Sequence, residues 1–309
     1  MDEPQEKLGY CHPDYAASLS EYGSPRYLEH SKGWILQRPI PGYNDFSDAM
    51  GLYPLFSCQQ WSLIPRDIDQ LEDSGLVSLV VVTDPLLVEC DRGVFSRFDF
   101  SRIFKTHYLA DTRQAPEQII SKHHAYYARK AAREITVEVS EFSAQFLEDW
   151  LDLYSQLIVR YEITDLRAFS RESFLKLLNM PGVYLFRALR KGRLVGAQIM
   201  VVQKNVAFAH LAAFTDEGYE YGASYILDRS ALEYFRCKAN YINWGGGSTN
   251  DPNDGLSKYK SGWSTVQKDA YLLGITFNFA RYEQLSGEMK EQGATDYFPA
   301  YRNREFQKL

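Results

Sequence analysis

The pattern of apolar and polar positions is harder to interpret in the first half of the chain than in the second. In the first half, Leu76–Thr83 is almost continuous in apolar and β-branched residues, which is typical of a buried strand. The pattern of the preceding segment, Ile64–Ser74, predicts a short helix whose solvent-exposed face carries acidic residues. Further elements are predicted from the same patterns, namely strands at 34–38, 104–110 and 135–139 and a helix at 116–134.

The second half of the chain carries clearer periodicity. The amphipathic pattern of Ser143–Tyr161 predicts a helix, and Arg171–Leu178 predicts a second one that ends before Pro181-Gly182. The later pattern predicts, in order, strands at 183–189, 194–203 and 206–214, a helix at 221–238 and a strand at 241–244. This order is typical of an α/β lobe built on a mixed sheet.

The same pattern suggests how the chain is organised. Residues 1–33 are polar and rich in turn-forming residues, and they predict an N-terminal arm. A boundary between two lobes is predicted near 134–142. We therefore expect an arm at 1–33, a first lobe at 34–140 and a second lobe at 141–309.

Composition and charge narrow the class of protein. The chain has 309 residues, 45% of them hydrophobic, and a formal net charge of −6, which weakens any role that depends on gripping a nucleic-acid backbone. Its four cysteines show no zinc-ligand spacing, so no metal site is expected. No apolar run approaches the ~20 residues of a spanning helix, and the N-terminus lacks the pattern of a secretory signal. We therefore expect a cytoplasmic protein without a membrane span.

The most unusual segment is a glycine-rich turn that follows a predicted strand. Gly245, Gly246 and Gly247 come directly after Trp244 and allow a sharp turn and a close approach of ligand to backbone N–H groups. Such groups can bind a phosphate or a developing oxyanion. A surface turn without function would show the same three glycines. The surrounding residues match neither a P-loop nor a dinucleotide-binding fingerprint.

A lysine between aromatic residues follows the glycines. In Tyr259-Lys260-Ser261-Gly262-Trp263, the ammonium of Lys260 could hold an anionic group or stabilise charge in a transition state. A surface lysine between core aromatics is the alternative.

Two further candidates lie in the first half. Asp84, at the end of a buried strand, could recognise an acceptor amine or act as a base, or simply cap the strand beside Pro85. Residues 42–61 combine several aromatic residues with two aspartates, and Trp61 in this stretch could border an acceptor site or pack in the core. The adjacent His123 and His124 are a poor metal pair and are expected on a partly exposed basic face.

These segments carry a family resemblance. A strand, then Trp244-Gly245-Gly246-Gly247, then Tyr259-Lys260-x-x-Trp263, resembles the end of the Fem-like branch of the GNAT acyltransferase superfamily. Leu194-Val195-Gly196-Ala197-Gln198 resembles a GNAT strand, and Tyr219–Tyr234, with Gly222-Ala223-Ser224-Tyr225 near its start, resembles the helix after the central strands. The resemblance covers roughly 76–275 and is specific in the second lobe.

The resemblance implies an α/β fold of two GNAT-like lobes that moves an acyl or aminoacyl group to an amine. Such a reaction needs a group that stabilises an oxyanion and a group that binds the amine or takes its proton, and Lys260 and Asp84 are the candidates for these catalytic roles. The residues expected to bind substrate are Gly245, Gly246, Gly247, Tyr259, Tyr225 and Trp61.

The donor is the point on which family members differ. The long helical arm of tRNA-using members has no counterpart here, and the chain is acidic. Both observations favour a thioester donor such as acyl-CoA, with the primary amine of an amino sugar or peptide-like precursor as acceptor. A tRNA-dependent aminoacyl transferase and a non-catalytic binding protein on the same fold are the alternatives.

Overall fold

The computed structural model describes residues 8–88, 92–163, 168–249, 251–290 and 297–303. The chain forms two compact units that are nested in sequence. We call residues 10–104 with 269–309 the flanking unit, and residues 105–268 with 1–9 the inserted unit.

The flanking unit is built on a mostly antiparallel sheet. Its strands are β1 (Ser24–Leu28), β2 (Gly33–Ile40), β3 (Tyr43–Gly51), β4 (Leu76–Val82) and β11 (Val266–Thr276), in that spatial order. The β3–β4 pair is parallel, and Leu272–Thr276 of β11 runs antiparallel to Ser78–Val82 of β4. Its helices are α1 (Pro13–Ser18), α2 (Ile64–Glu72), α3 (Pro85–Val88) and α11 (Phe279–Lys290).

The inserted unit has a larger mixed sheet. The strands lie in the order β5 (Phe100–Asp111), β10 (Tyr241–Gly246), β9 (Val206–Phe214), β8 (Arg193–Gln203), β7 (Val183–Arg190) and β6 (Thr136–Glu141). The β9–β10 pair is parallel and the other pairs are antiparallel. Its helices are α4 (Pro116–Ile119), α5 (Lys122–Ala131), α6 (Leu147–Tyr161), α7 (Arg171–Leu178), α8 (Asp216–Glu220), α9 (Ala223–Phe235) and α10 (Gly255–Ser261).

Each unit has its own hydrophobic core, as two-layer packing of helices on a sheet requires. In the inserted unit, α9 buries Leu227, Ala231 and Phe235 against strand residues such as Met200 and Ile242. In the flanking unit, α2 buries a corresponding apolar stripe on the sheet. The predicted mixed α/β fold class is confirmed.

The helix predicted at 116–134 is divided into α4 and α5. Ile120 and Ser121 have extended backbone conformations at the break. The Ser121 Oγ then accepts a hydrogen bond from His124 N at 3.2 Å, which starts α5 as an N-cap. The capping serine therefore produces two helices where periodicity alone predicts one.

The units divide the chain at other positions than those expected from the sequence. The predicted boundary near 140 falls within the inserted unit, and residues 269–309 are part of the flanking unit. The segment predicted as an arm at 1–33 contains α1 and β1, and β1 pairs with β2. The assignment of an arm and two lobes as domains stays a prediction.

Among the described residues, no helix combines the length and the apolar character needed to cross a bilayer. The same residues contain no group of three or more His, Cys, Asp and Glu side chains placed to hold a metal ion.

Candidate active site

Two neighbouring parallel strands of the inserted unit separate part-way along their length. Their register covers Val206–Phe208 of β9 against Tyr241–Asn243 of β10, while β9 continues to Phe214. Beyond Phe208 and Asn243 the described register of the two strands ends. The glycine-rich turn therefore follows directly after the point where this pairing stops.

The glycine-rich turn lies where β10 ends. Gly245 has a φ of +79°, a conformation that side chains rarely adopt. A Cβ on Gly247 would lie 2.0 Å from the Ser257 Oγ, so this position has no room for a side chain. The Gly245 N–H already donates to the Asn243 Oδ1 at 2.9 Å. The turn is thus a fixed structure and not a loose surface loop.

Lys260 lies on α10 and points at this turn. Its Nζ donates to the Gly246 carbonyl oxygen at 2.6 Å, and an added Cβ on Gly245 would lie 3.1 Å from the same Nζ. Burial lowers the pKa of the Lys260 ammonium to about 8, and the nearby Lys105 acts in the same direction. Asp228 and Asp254 oppose that change. At neutral pH most of the Lys260 population therefore remains charged.

A second lysine supports the turn from β5. The Lys105 Nζ donates to the Gly247 carbonyl oxygen at 2.9 Å. The Asp254 carboxylate caps α10 by accepting from Leu256 N at 2.8 Å and Ser257 N at 2.9 Å. These bonds hold the turn and α10 together, so Lys260 has a defined position.

A buried carboxylate lies beside Lys260. Asp228 of α9 is 7% exposed, and its Oδ2 accepts from the Tyr259 hydroxyl at 2.6 Å. Its Oδ1 accepts from the Gln198 Nε2 at 3.0 Å. Burial raises the pKa of Asp228 to about 6, although both hydrogen bonds and the charge of Lys260 act in the opposite direction.

A neutral polar pair lies under the turn. The buried His107 Nδ1 and Asn243 Oδ1 are 3.0 Å apart. Burial lowers the pKa of His107 to about 4, so its ring is uncharged at neutral pH. Within the part of the chain that the structure describes, the Asn243 Nδ2 and the Gln198 Oε1 are buried without a hydrogen-bond partner.

An aromatic cluster packs against Tyr259. The rings of His124, Tyr225 and Trp263 surround it, with His124 centroids 5.2 Å from Tyr225 and from Tyr259. His124 is 6% exposed, so its predicted place on an exposed basic face is wrong. Space for it exists because Gly262 has no side chain: a Cβ there would lie 2.1 Å from the His124 Cε1.

Two predicted site residues belong to the flanking unit. Asp84 is 3% exposed, and its Oδ1 accepts from Leu86 N at 2.9 Å, as a cap of α3 does. Trp61 is 4% exposed and packs in the hydrophobic core with Phe56. The structure supports the capping and packing interpretations for these two residues, and their functional roles stay predictions.

The inserted unit thus gathers most of the predicted residues: Lys260, Gly245, Gly246, Gly247, Tyr259 and Tyr225. Sequence reasoning missed Asp228, Gln198, Asn243 and His107. One signal could have found Asp228, which is an acidic residue on the apolar face of the predicted helix at 221–238. His107 and Asn243 carry no comparable signal, since they meet only through strand pairing.

No protein-family model and no curated protein matches the sequence. Solved structures do match in fold. FemX aligns with a TM-score of 0.65 at 11% identity, covering 88% of this chain and 93% of that chain. The C-terminal domain of a putative lysylphosphatidylglycerol synthetase from Agrobacterium fabrum aligns with a TM-score of 0.62 at 15% identity, covering 86% and 88%. L-PGS from Bacillus licheniformis aligns with a TM-score of 0.60 at 12% identity, covering 88% and 94%.

At these identities the likeness concerns the fold, and it extends over most of both chains. The predicted Fem-like resemblance is confirmed at that level: the chain shares the fold of FemX and of the two lysylphosphatidylglycerol synthetase structures.

Proposed function

We propose that this protein is an N-acyltransferase that moves an acyl group from a thioester donor, such as acyl-CoA, to a primary amine. The observation that carries the proposal is the Lys260 ammonium, held 2.6 Å from the Gly246 carbonyl oxygen beside the point where β9 and β10 separate. An amino sugar or a peptide-like precursor is the proposed acceptor.

The reaction needs few groups from the protein. The neutral amine attacks the carbonyl carbon, a C–N bond forms, and the C–S bond breaks as the tetrahedral intermediate collapses. The amine loses one proton and the departing thiolate gains one. An ammonium has three N–H donors, of which Gly246 takes one, so Lys260 can also donate to the oxyanion. Asp84 stays a proposed acceptor-binding or basic group.

The edge of β9 beyond Phe208 offers a place for the donor. Acyl-CoA carries its thioester on an extended arm that contains amide groups. Such an arm can hydrogen-bond to backbone groups at a strand edge as a peptide does in β-augmentation. The thioester would then lie near the glycine turn and Lys260.

An aminoacyl ester on tRNA is the alternative donor. The fold likeness to FemX and to proteins named for lysylphosphatidylglycerol synthesis favours it, while the net charge of −6 favours the thioester. Lysylphosphatidylglycerol also suggests a lipid as the alternative acceptor. A non-catalytic binding protein is the remaining alternative.

Ligand-induced thermal stabilisation tests the donor. A coenzyme A thioester at 100 times its Kd should add about 2.7 kcal/mol to the free energy of unfolding. We expect a shift in melting temperature for the wild type that shrinks in Lys260→Ala. Lys258→Ala is the matched control, because Lys258 is exposed on the same helix and should keep the shift.

The transfer rate tests the role of Lys260. Removing one oxyanion donor lowers kcat by about 10²–10³, so we expect that loss for Lys260→Ala and little change for Lys258→Ala. Release of free thiol in the presence of amine acceptors measures it. Equal rates in both variants would remove Lys260 from the mechanism. If no thioester shifts the melting temperature but charged tRNA supports transfer with a steep salt dependence, the alternative donor replaces this one.

A further inference from the structure

Asp228 is an acidic residue at a buried position of α9, where apolar residues are usual. It lies on the face of α9 that buries Leu227 and Ala231, and it is 7% exposed. Its two direct hydrogen-bond partners, Tyr259 and Gln198, are both neutral. A buried carboxylate is costly unless a cation or several donors compensate it, and an apolar side chain would fill this position at lower cost. The carboxylate therefore has a purpose other than stability.

Its hydrogen bonds connect it to the site. Tyr259 precedes Lys260 in α10, and its hydroxyl lies 2.6 Å from the Asp228 Oδ2. The Lys260 Nζ lies 2.6 Å from the Gly246 carbonyl oxygen. The bond from α9 to Tyr259 thus fixes the helix that carries the lysine, and it places a negative charge near that lysine.

The charges around Lys260 come from three elements. Lys105 of β5 favours its neutral form, whereas Asp228 of α9 and Asp254 at the start of α10 favour the charged form. His107 of β5 is uncharged at neutral pH, since burial lowers its pKa to about 4. Asp254 is only partly buried, so Asp228 is the buried negative charge that balances Lys105.

We propose that Asp228 is a positioning residue that, through Tyr259 and its own charge, holds Lys260 at the glycine turn as an ammonium. Asp228 does not touch the reacting atoms. This inference rests on the proposed function for its effect on rate, but its effect on the charge of Lys260 is independent of any reaction.

The first test measures Lys260 directly. Amine-labelling rates at Lys260, followed across pH by peptide mass spectrometry, give its apparent pKa without a substrate. An opposite charge within reach shifts a pKa by about one unit or more, so Asp228→Asn should lower that of Lys260 by about one unit. Lys105→Gln should raise it. An unchanged value in Asp228→Asn, with the protein folded by circular dichroism, overturns the proposal.

The second test uses the pH dependence of transfer. The rate ratio of wild type to Asp228→Asn should be about fivefold at pH 8, where Lys260 is about half charged in the wild type and about one-tenth charged in the variant. It should approach one below pH 6, where Lys260 is charged in both proteins and wild-type Asp228 is protonated. Tyr259→Phe removes a hydrogen bond that favours the ionised Asp228 carboxylate and so raises the pKa of Asp228. The acidic limb of the pH–rate profile of this variant should therefore move to higher pH. A ratio that is constant across pH indicates a purely structural role and contradicts the proposal.

The two tests separate the two ideas. If neither thioester nor charged tRNA supports transfer, yet Lys260 titrates at lower pH in Asp228→Asn, the proposed function fails and the charge relation stands. If transfer occurs but Lys260 titrates identically in both proteins, the role of Asp228 fails and the proposed function stands.

Discussion

Two buried aspartates, Asp48 of the flanking unit and Asp228 of the inserted unit, have opposite kinds of hydrogen-bond partner. In the flanking unit, Asp48 is 1% exposed and forms a two-pronged ion pair with Arg302, at 2.6 Å from Nε and 2.9 Å from an Nη atom. The Tyr301 hydroxyl donates to it at 3.1 Å. In the inserted unit, the donors to Asp228 among the described residues are the phenol of Tyr259 and the side-chain amide of Gln198.

The difference determines how far each carboxylate is compensated for its removal from water. A carboxylate that meets a guanidinium fork is compensated for its loss of water, because both oxygens receive charge-assisted bonds. A carboxylate that meets neutral donors is compensated in part, and burial therefore raises the pKa of Asp228 to about 6. Asp48 serves the fold, whereas Asp228 lies next to the candidate site.

The largest expected effect comes from breaking the compensated pair. Arg302→Ala leaves Asp48 buried without the guanidinium that binds both of its oxygens. Removing one partner of a buried pair costs about 3–5 kcal/mol. Urea unfolding measures the loss. Arg171→Ala, which breaks an exposed pair with Glu148, is the control and should cost less than about 1 kcal/mol. A small loss in Arg302→Ala would mean that the contrast between the two aspartates is not energetic.

The second effect has the opposite sign. The pKa of Asp228 is raised on folding, so the folded state binds more protons than the unfolded state between about pH 4 and pH 6. Stability from this group is therefore present at low pH and lost as pH rises through 6. We expect Asp228→Asn to be more stable than the wild type by up to about 3 kcal/mol at pH 8, and by little at pH 4.

Urea unfolding of both proteins at the two pH values tests this expectation. Asp48→Asn is its counterpart and should lose stability at pH 8, because it gives up the ion pair. If Asp228→Asn is less stable than the wild type at pH 8, Asp228 stabilises the fold as Asp48 does, and the contrast between them is wrong.

The smallest effect on stability compares two glycines of the inserted unit. Gly245, at the site, and Gly192, in the β7–β8 turn, have φ values of +79° and +75°. Alanine at either position should cost about 1–2 kcal/mol, since both backbones are left-handed. A Cβ at Gly245 approaches the Lys260 Nζ to 3.1 Å, whereas one at Gly192 has open space. We therefore expect similar melting temperatures but a loss of transfer rate in Gly245→Ala alone. Equal rates would separate the turn from the chemistry.

The sequence predicts the inserted unit well because its elements carry strong periodicity and short connections. Arg171–Leu178 and Val206–Phe214 match the predicted bounds. In the flanking unit, β1 and β3 were not predicted. Both hold turn-forming or polar residues, such as Pro25 in β1 and Asn44 in β3. They become strands by pairing with their neighbours, β1 with β2 and β3 with β2 and β4.

The candidate site is predictable to a similar degree. The three glycines and Lys260 stand out because their residue types are unusual at that spacing. The network around them does not, since Gln198, Asp228 and Tyr259 come from three separate elements. The hydrogen bonds that join them depend on tertiary packing, which local sequence patterns do not predict.

The nesting of the units has a consequence for synthesis on the ribosome. Residues 105–268 leave the exit tunnel as a continuous stretch, so the inserted unit can assemble while translation continues. The flanking unit is completed later, because β4 can pair with β11 only after Leu272–Thr276 has been synthesised. Arg302, which binds Asp48, is synthesised later still. Until then the first hundred or so residues of the flanking unit hold an exposed edge of β4, and Asp48 lacks its bond to Arg302. The order of emergence thus leaves the flanking unit incomplete for longer than the inserted unit.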